Sequence, residues 1–242
     1  MPNSTSVRSR SLTQDVYERI RADILTCRLG PGVKLRIADL CEALGGVSLG
    51  AVREALSRLA ADGLVISEPQ RGFTVAPVSG SDLEELTLAR IEVEGWCLRA
   101  AIAKGGVRWE AGVEAAFRAL GRTPYFAPDD SDRLSDAWVA SHAAFHEALV
   151  AAAGNSWLLR IREQLYGQSE RYRRLSVPVN PQRRDVEAEH RDIMEATLAR
   201  DADRAVETLS MHLRLTTRIL LDAHLAESTQ RFRLTSIHLN CG

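Results

Sequence analysis

Four histidines carry the most chemistry in this chain. His142 and His146 are four residues apart, so on a helix their imidazoles stack on one face. That face also carries Ser135, Val139, Leu149 and Ala153, which turns it inward. His190 shares a helical face with Val186, Ile193 and Met194, and His212 shares one with Ala205, Leu209, Thr216 and Ile219. A lone imidazole on an apolar face is more often a hydrogen-bonded core residue than a ligand. Four of them, from three helices, are costly to bury without a common partner. Neutral imidazole nitrogen suits zinc, nickel, copper or iron, and helical bundles hold metals between facing helices. The spacing therefore predicts His142, His146, His190 and His212 as ligands of a divalent transition metal, zinc first among the choices. His224 and His238 fit no such pattern and read as surface residues.

Two further sets of residues suit binding. Arg90 falls on the stripe of Leu83, Leu86, Val93, Cys97 and Ala101, so it faces a bundle interior. There it could pair with Glu94 at i+4, or take a carboxylate in the bidentate way guanidinium allows. The charged run from Gln168 to Arg174 offers Arg171 and the Tyr172 hydroxyl to the same ligand, although a solvated helix face explains most of that run. The other set lies in Val47–Leu59. Ser48 is a good N-cap, and Val52, Ala55, Leu56 and Leu59 recur at helical spacing. Leu49, Gly50, Arg53 and Ser57 fall outside that stripe, where they could meet a partner.

The elements around this helix give it a meaning. A first helix starts at Leu12-Thr13, buries Val16, Ile20, Ile24 and Leu25, and stops at Gly30-Pro31-Gly32. Arg36–Leu44 is a second short helix, and Gly45-Gly46 makes the turn into the Ser48 helix. After Asp62-Gly63, two β-prone runs, Leu64–Pro69 and Gly72–Ala76, flank Gln70-Arg71. Helix, turn, helix and hairpin in this order predict a winged helix-turn-helix. Its third helix enters the major groove of DNA, and Arg71 and Gly72 at the wing tip reach a phosphate or the minor groove.

Composition bounds the rest. The 242 residues are 45% hydrophobic and 26% charged, as in soluble globular proteins. Net charge is −1, and residues 1–79 hold ten Lys/Arg against eight Asp/Glu, so contact with DNA must rest on local placement of charge. The four cysteines show no CxxC pair and read as reduced thiols. No apolar run reaches membrane-spanning length and the N-terminus lacks a signal-peptide core, which makes the cytoplasm the default expectation, with no membrane partner. Residues 1–11 read as a flexible arm, 12–78 as the DNA-binding domain and 79–81 as a linker. Residues 82–226 form a helical metal- and effector-binding domain, and 227–242 a tail. Helices are expected near 82–104, 108–121, 131–153, 155–176, 182–200 and 202–226, with no strand among them. The predicted fold class is mostly α: an N-terminal winged helix-turn-helix plus a C-terminal all-helical antiparallel bundle.

The N-terminal stretch resembles the winged helix-turn-helix of the GntR family of bacterial transcription regulators. Leu29-Gly30-Pro31-Gly32, Leu35-Arg36, Val47-Ser48, Val52–Leu56, Arg58-Leu59, Asp62–Val65 and Arg71-Gly72 carry the likeness. It implies that Ser48, Leu49, Gly50 and Arg53 face the operator, with Arg36 on backbone or groove and Arg71-Gly72 as the wing. Many members have Arg where this chain has Leu49, and Gly45-Gly46 is one residue longer than the usual turn. The second half is similar to the FCD-type effector domain of the FadR subfamily, through Arg90-x-x-Val93-Glu94, Phe145-His146, Gly154-Asn155, Glu189-His190-x-x-Ile193-Met194 and His212. By that likeness His146, His190 and His212 are metal ligands and His142 stands where members have Asp or Asn. A small organic acid binds beside the metal, next to Arg90. The pattern near Ser48 and from Gln168 to Ser176 looks like members that respond to dicarboxylates such as glutarate. The expected protein is a homodimeric repressor on a palindromic double-stranded operator, released by a small carboxylate, and not an enzyme. The alternatives are a metal-dependent enzyme acting on small organic acids, or a DNA-binding protein whose metal is purely structural.

Overall fold

The computed structural model describes residues 12–176 and 184–237, in two compact units that divide between Val78 and Ser79. The arm expected over 1–11 and the last residues of the tail, His238 included, lie outside the described residues.

The first unit runs α1 (Leu12–Leu25), β1 (Lys34–Leu35), α2 (Ile37–Ala43), α3 (Leu49–Ala61), β2 (Val65–Glu68) and β3 (Gly72–Val75). Its core is one cluster: Val16, Ile20 and Ile24 from α1 meet Val52, Ala55, Leu56 and Leu59 from α3, closed by Leu64, Val65 and Val75. The turn into α3 follows from chemistry. Gly45 and Gly46 take φ of 87° and 82°, a region that favours glycine. Their amides bond back to the carbonyls of Glu42 (3.0 Å) and Cys41 (2.8 Å), which closes α2. Ser48 then caps α3, its hydroxyl accepting from the Ala51 amide at 3.2 Å, as the sequence predicts. The wing hairpin pairs Ile66 with Thr74 and Glu68 with Gly72. β1 adds a third strand in the order β1-β3-β2, and at two residues it is too short to show any alternation in sequence.

The second unit runs α4 (Gly80–Lys104), α5 (Val107–Arg122), β4 (Phe126–Ala127), β5 (Asp130–Leu134), α6 (Asp136–Val150), α7 (Ser156–Ser176), α8 (Val186–Leu198) and α9 (Ala202–Ile237). α4 and α9 run antiparallel: Thr87 Oγ1 lies 2.6 Å from Thr217 Oγ1 near one end, and Arg99 reaches Asp203 at 2.6 Å near the other. Between the helices sits a cluster including Cys97, Leu98, Val113, Phe145, Leu149, Ile193 and Leu209.

Three expectations need correction here. Residues 79–81 are no linker: Ser79 caps α4 by accepting from the Asp82 amide, and its own amide donates to the Tyr172 hydroxyl. The helical half, where no strand is expected, carries one short hairpin, β4 and β5 over 126–134. Pro124 and Pro128 break the helical pattern there, and α6 starts only at Asp136, with Ser135 as its cap rather than on its inner face. The helix expected to end at 226 runs to Ile237, since neither glycine nor proline interrupts it after Asp201.

Candidate nucleic-acid interface and metal centre

In the first unit, burial separates scaffold from surface along α3. Val52, Ala55, Leu56 and Leu59 are fully buried, while Ser48, Leu49, Gly50, Arg53 and Ser57 are exposed. The two arginines of the helix are not equivalent. The Arg58 guanidinium sits 4.3 Å from the Tyr17 ring centroid, and the Tyr17 hydroxyl donates to Asp62 at 2.6 Å, so Arg58 belongs to the scaffold. Arg53 projects into solvent. Leu49 is 62% exposed, which puts a large apolar side chain at the start of the helix with nothing of its own unit to cover it. Among the described residues, a side chain at Gly50 would meet open space beyond its own helix, so close approach of a partner there is open. Arg36 is exposed at the N-cap of α2. Arg71, 82% exposed at the wing tip, reaches Glu68 at 3.5 Å, beside Gly72. An exposed pair of this kind holds a side chain weakly.

The second unit brings the four histidines together. His142 and His146 come from α6, His190 from α8 and His212 from α9, all buried. One ring nitrogen from each lies within 4.8 Å of the others. Burial is the main reason that His142, His146 and His190 are held well below the ordinary value of 6.5, with neighbouring Arg173 and His212 adding to it. His212 is lowered as well, by burial, against the opposing pull of Glu189. All four are neutral imidazoles at physiological pH, the form that ligates a metal. Among the described residues, both ring nitrogens of His146 and Nε2 of His190 have no hydrogen-bond partner. An orphaned buried nitrogen costs about 1–3 kcal/mol, so these atoms are set up for a partner from outside the chain. The donor set fits a divalent transition metal. Glu189 takes the outer position: its carboxylate can only accept, so His212 Nδ1 donates to it at 2.8 Å and Nε2 is left for an ion. Arg184 holds Glu189 through a two-nitrogen ion pair, which helps to bring its carboxyl down to about 2 against the cost of burial.

Beside the cluster lies a narrow cleft walled by α4, α6, α7 and α9. His142, His146 and His212 open onto it, as do Arg90, Tyr166, Ser169 and Arg173. Arg90 is nearly buried. It donates through Nε to Glu94 at 3.0 Å and through Nη1 to Ser169 at 2.9 Å. It thus pairs with Glu94 and stands in the cleft wall at the same time. Glu94 is fully buried and also faces Arg162 at 3.5 Å. Burial alone would raise its carboxyl, but Arg90 and then Arg162 outweigh that and keep it below the ordinary value. Tyr166 meets His142 Nδ1 at 3.0 Å, and burial pushes its hydroxyl well up, so it stays protonated.

Residues 85–215 match the FCD domain family, and residues 12–75 match the family of bacterial regulatory proteins, gntR family. The chain belongs to the GntR family. This GntR regulator is 41% identical to BphR of Paraburkholderia xenovorans, an uncharacterized HTH-type transcriptional regulator, over 84% of this chain and 83% of that protein. It is 38% identical to the HTH-type transcriptional repressor GlaR of Escherichia coli, over 82% of this chain and 91% of that one. Among solved structures, McbR/YncC of Escherichia coli shares the fold with a TM-score of 0.73 at 23% identity, covering 89% of this chain and all of that one. The family is one of transcription regulators, so the alternative of a metal-dependent enzyme falls away. Its FCD architecture fits the FadR subfamily.

Within this GntR regulator the charged run on α7 divides by helical phase. Tyr166, Ser169, Glu170 and Arg173 follow i, i+3, i+4, i+7 and line the cleft. Arg171 lies off that stripe: it is buried, bonds Gln168 at 3.3 Å and forms no part of the cleft wall. Tyr172 does reach the wall, but its hydroxyl is engaged with Asp82 and Ser79, and burial with the Asp82 bond takes it up to about 12. Sequence reasoning passed over Arg173, Tyr166, Arg184 and Glu189. The first two could have been found by extending the stripe test to α7. Glu189 stands next to a ligand in sequence, yet only the packing of α8 on α9 shows which histidine it serves.

Proposed function

We propose that this GntR regulator is a metabolite-responsive repressor, homodimeric on a palindromic operator, and that a small carboxylic acid, best a dicarboxylate, releases it. The supporting observation is the convergence of Arg90 and Arg173 with three of the four histidines on one cleft. His142, His146, His190 and His212 would hold the metal. When bound, it supplies a fixed positive charge for one carboxylate. Arg90, with Ser169 and Tyr166 beside it, orients the other end, and Arg173 with its Glu170 partner sets the charge of the wall. The repressor sign rests on the likeness to GlaR, whose name says repressor, and the dicarboxylate on the resemblance in the α7 run. Ser48, Leu49, Gly50 and Arg53 read the major groove, Arg36 and the Arg71-Gly72 wing the backbone or minor groove. Affinities for acid and for operator are then reciprocally coupled.

The test uses the full chain loaded with zinc. Its melting temperature and its affinity for an operator duplex are measured while glutarate, and separately acetate, is titrated. Glutarate should raise the melting temperature and weaken duplex binding, with acetate much less effective. If glutarate stabilises the protein and duplex affinity does not move, the coupling is wrong. If chelation alone unfolds the helical unit and no acid acts at all, the metal is purely structural.

A further inference from the structure

Arg162 is buried in the helical unit without a role in the cleft wall or the metal centre. It stands on α7 one turn before Tyr166, on the stripe that Tyr166, Ser169 and Arg173 continue along the cleft, but it does not line the cleft itself. Its side chain is 8% exposed, and its Nε lies 3.5 Å from Glu94 Oε2. Among the described residues, Arg162 Nε and Nη2 have no hydrogen-bond partner, so this ion pair stops short of a hydrogen bond. Glu94 is thus divided between two arginines. Its Oε1 accepts from Arg90 Nε at 3.0 Å and from Arg90 Nη2, while its Oε2 faces Arg162. The two guanidiniums share a wall as well: each lies 5.2 Å from the centroid of the Tyr166 ring. Two cations on one buried carboxylate leave one positive charge in surplus, which is costly away from water. Glu170, on the same stripe of α7, is already paired with Arg173.

Arg90 faces the opposite constraint. It lines the cleft, yet its Nε–Nη2 edge is committed to Glu94 and its Nη1 to Ser169. A ligand carboxylate that takes that edge of Arg90 in the two-pronged way must displace Glu94 from it. Without Arg162, the displacement would strand a carboxylate in the core, at a cost that cancels the new contact. With Arg162 in place, Oε2 already faces a guanidinium whose donors are unspent. Closing that gap by roughly half an ångström completes the hydrogen bond. Two arginines on one carboxylate then become two full pairs, and the surplus charge is gone.

We infer that Arg162 is the standby partner of Glu94: an acid in the cleft takes Arg90, and Glu94 passes from Arg90 to Arg162. Arg162 is therefore a positioning residue, which sets the affinity of the cleft for a carboxylate without touching it. This rests on the carboxylate effector of the proposed function and supplies what frees Arg90 to bind it.

The test follows glutarate binding to the zinc-loaded full chain by calorimetry, beside the melting temperature of the ligand-free protein. Arg162→Met removes the surplus charge while Glu94 keeps Arg90. Its ligand-free melting temperature should stay at or above the parent's. Its glutarate affinity should fall on the order of a hundredfold, because freeing Arg90 now strands a buried carboxylate. Arg162→Lys, which keeps the charge, should recover part of that loss. Crystals of the parent with and without glutarate give a reading that no substitution disturbs. With glutarate, Arg162 Nε and Glu94 Oε2 should approach to within about 3.2 Å, and Arg90 should leave Oε1. An Arg162→Met variant that melts lower and binds glutarate as the parent does would make Arg162 a packing residue; it overturns the handover and leaves the effector site standing. Arg162→Lys no better than Arg162→Met, or glutarate-bound crystals in which Arg90 still holds Glu94, would overturn it equally. If glutarate neither binds nor stabilises the parent, the effector site and the handover fall together.

Discussion

The two units place their functional side chains in opposite environments. In the first, the residues assigned to DNA stand in solvent on a helix whose other face is packed. In the second, the assigned ligands and the arginine beside them are buried among helices that also make the core. An exposed reading surface can change without disturbing its scaffold. A buried site cannot, because its charges and imidazoles were desolvated by folding itself. Substitutions in the first unit should therefore change binding at constant stability, and those in the second should change both.

Glu94→Ala tests the coupled side hardest. It leaves Arg90 and Arg162 buried without their shared carboxylate, and breaking a buried pair this way costs about 3–5 kcal/mol. Denaturant unfolding should show the loss. The effect is also pH-dependent. Because the folded carboxyl titrates below its ordinary value of 4.5, its contribution is complete above that value and drains away as pH falls through the lowered one. The gap between parent and variant should be flat near neutrality and close on acidification. A gap that persists unchanged below the lowered value would leave Glu94 a packing residue.

His146→Leu sharpens the contrast, since here the coupling should reverse sign. Metal-free, the variant should be at least as stable as the parent, because it removes two orphaned buried nitrogens. With zinc at a hundred times the parent's dissociation constant, the parent should gain about 2.7 kcal/mol and the variant far less. Equal zinc-induced shifts in melting temperature for the two proteins would remove His146 from the ligand set.

Arg53→Ala probes the uncoupled side. Losing one good base contact costs about 1–3 kcal/mol of operator affinity and relaxes specificity at that base pair. The melting temperature should stay close to the parent's, since Arg53 is exposed on the face of α3 opposite its buried stripe. A large stability loss in Arg53→Ala would erase the contrast between the units.

The same contrast explains what the sequence disclosed. The winged helix was legible because each of its signals is local: the Gly45-Gly46 turn, the Ser48 cap and the stripe on α3 need no long-range contact. The four histidines were legible because inward faces can be counted along each helix. Their outer support was not. Arg184 lies 28 residues from His212, and Arg162 lies 68 from Glu94, so no local pattern joins them. The 126–134 hairpin was missed for a related reason: a two-residue strand paired with a partner that begins three residues on leaves no period to detect.

Leu49→Arg carries the smallest expected effect and tests where the reading surface begins. Leu49 is an exposed apolar residue at the first helical position of α3, directly after the Ser48 cap. Arginine there needs no repacking, so stability should change by no more than about 0.5 kcal/mol, the usual range for surface sites. If α3 lies in the groove, the new guanidinium adds one contact to a phosphate or base edge. A phosphate contact steepens the dependence of log affinity on log salt by about one unit and strengthens binding to all sequences alike. A base contact leaves the salt slope near the parent's and shifts preference at one position, most readily toward guanine. Either outcome keeps Leu49 at the interface. Unchanged affinity, slope and preference would move the boundary of the surface beyond Leu49, toward Gly50 and Arg53.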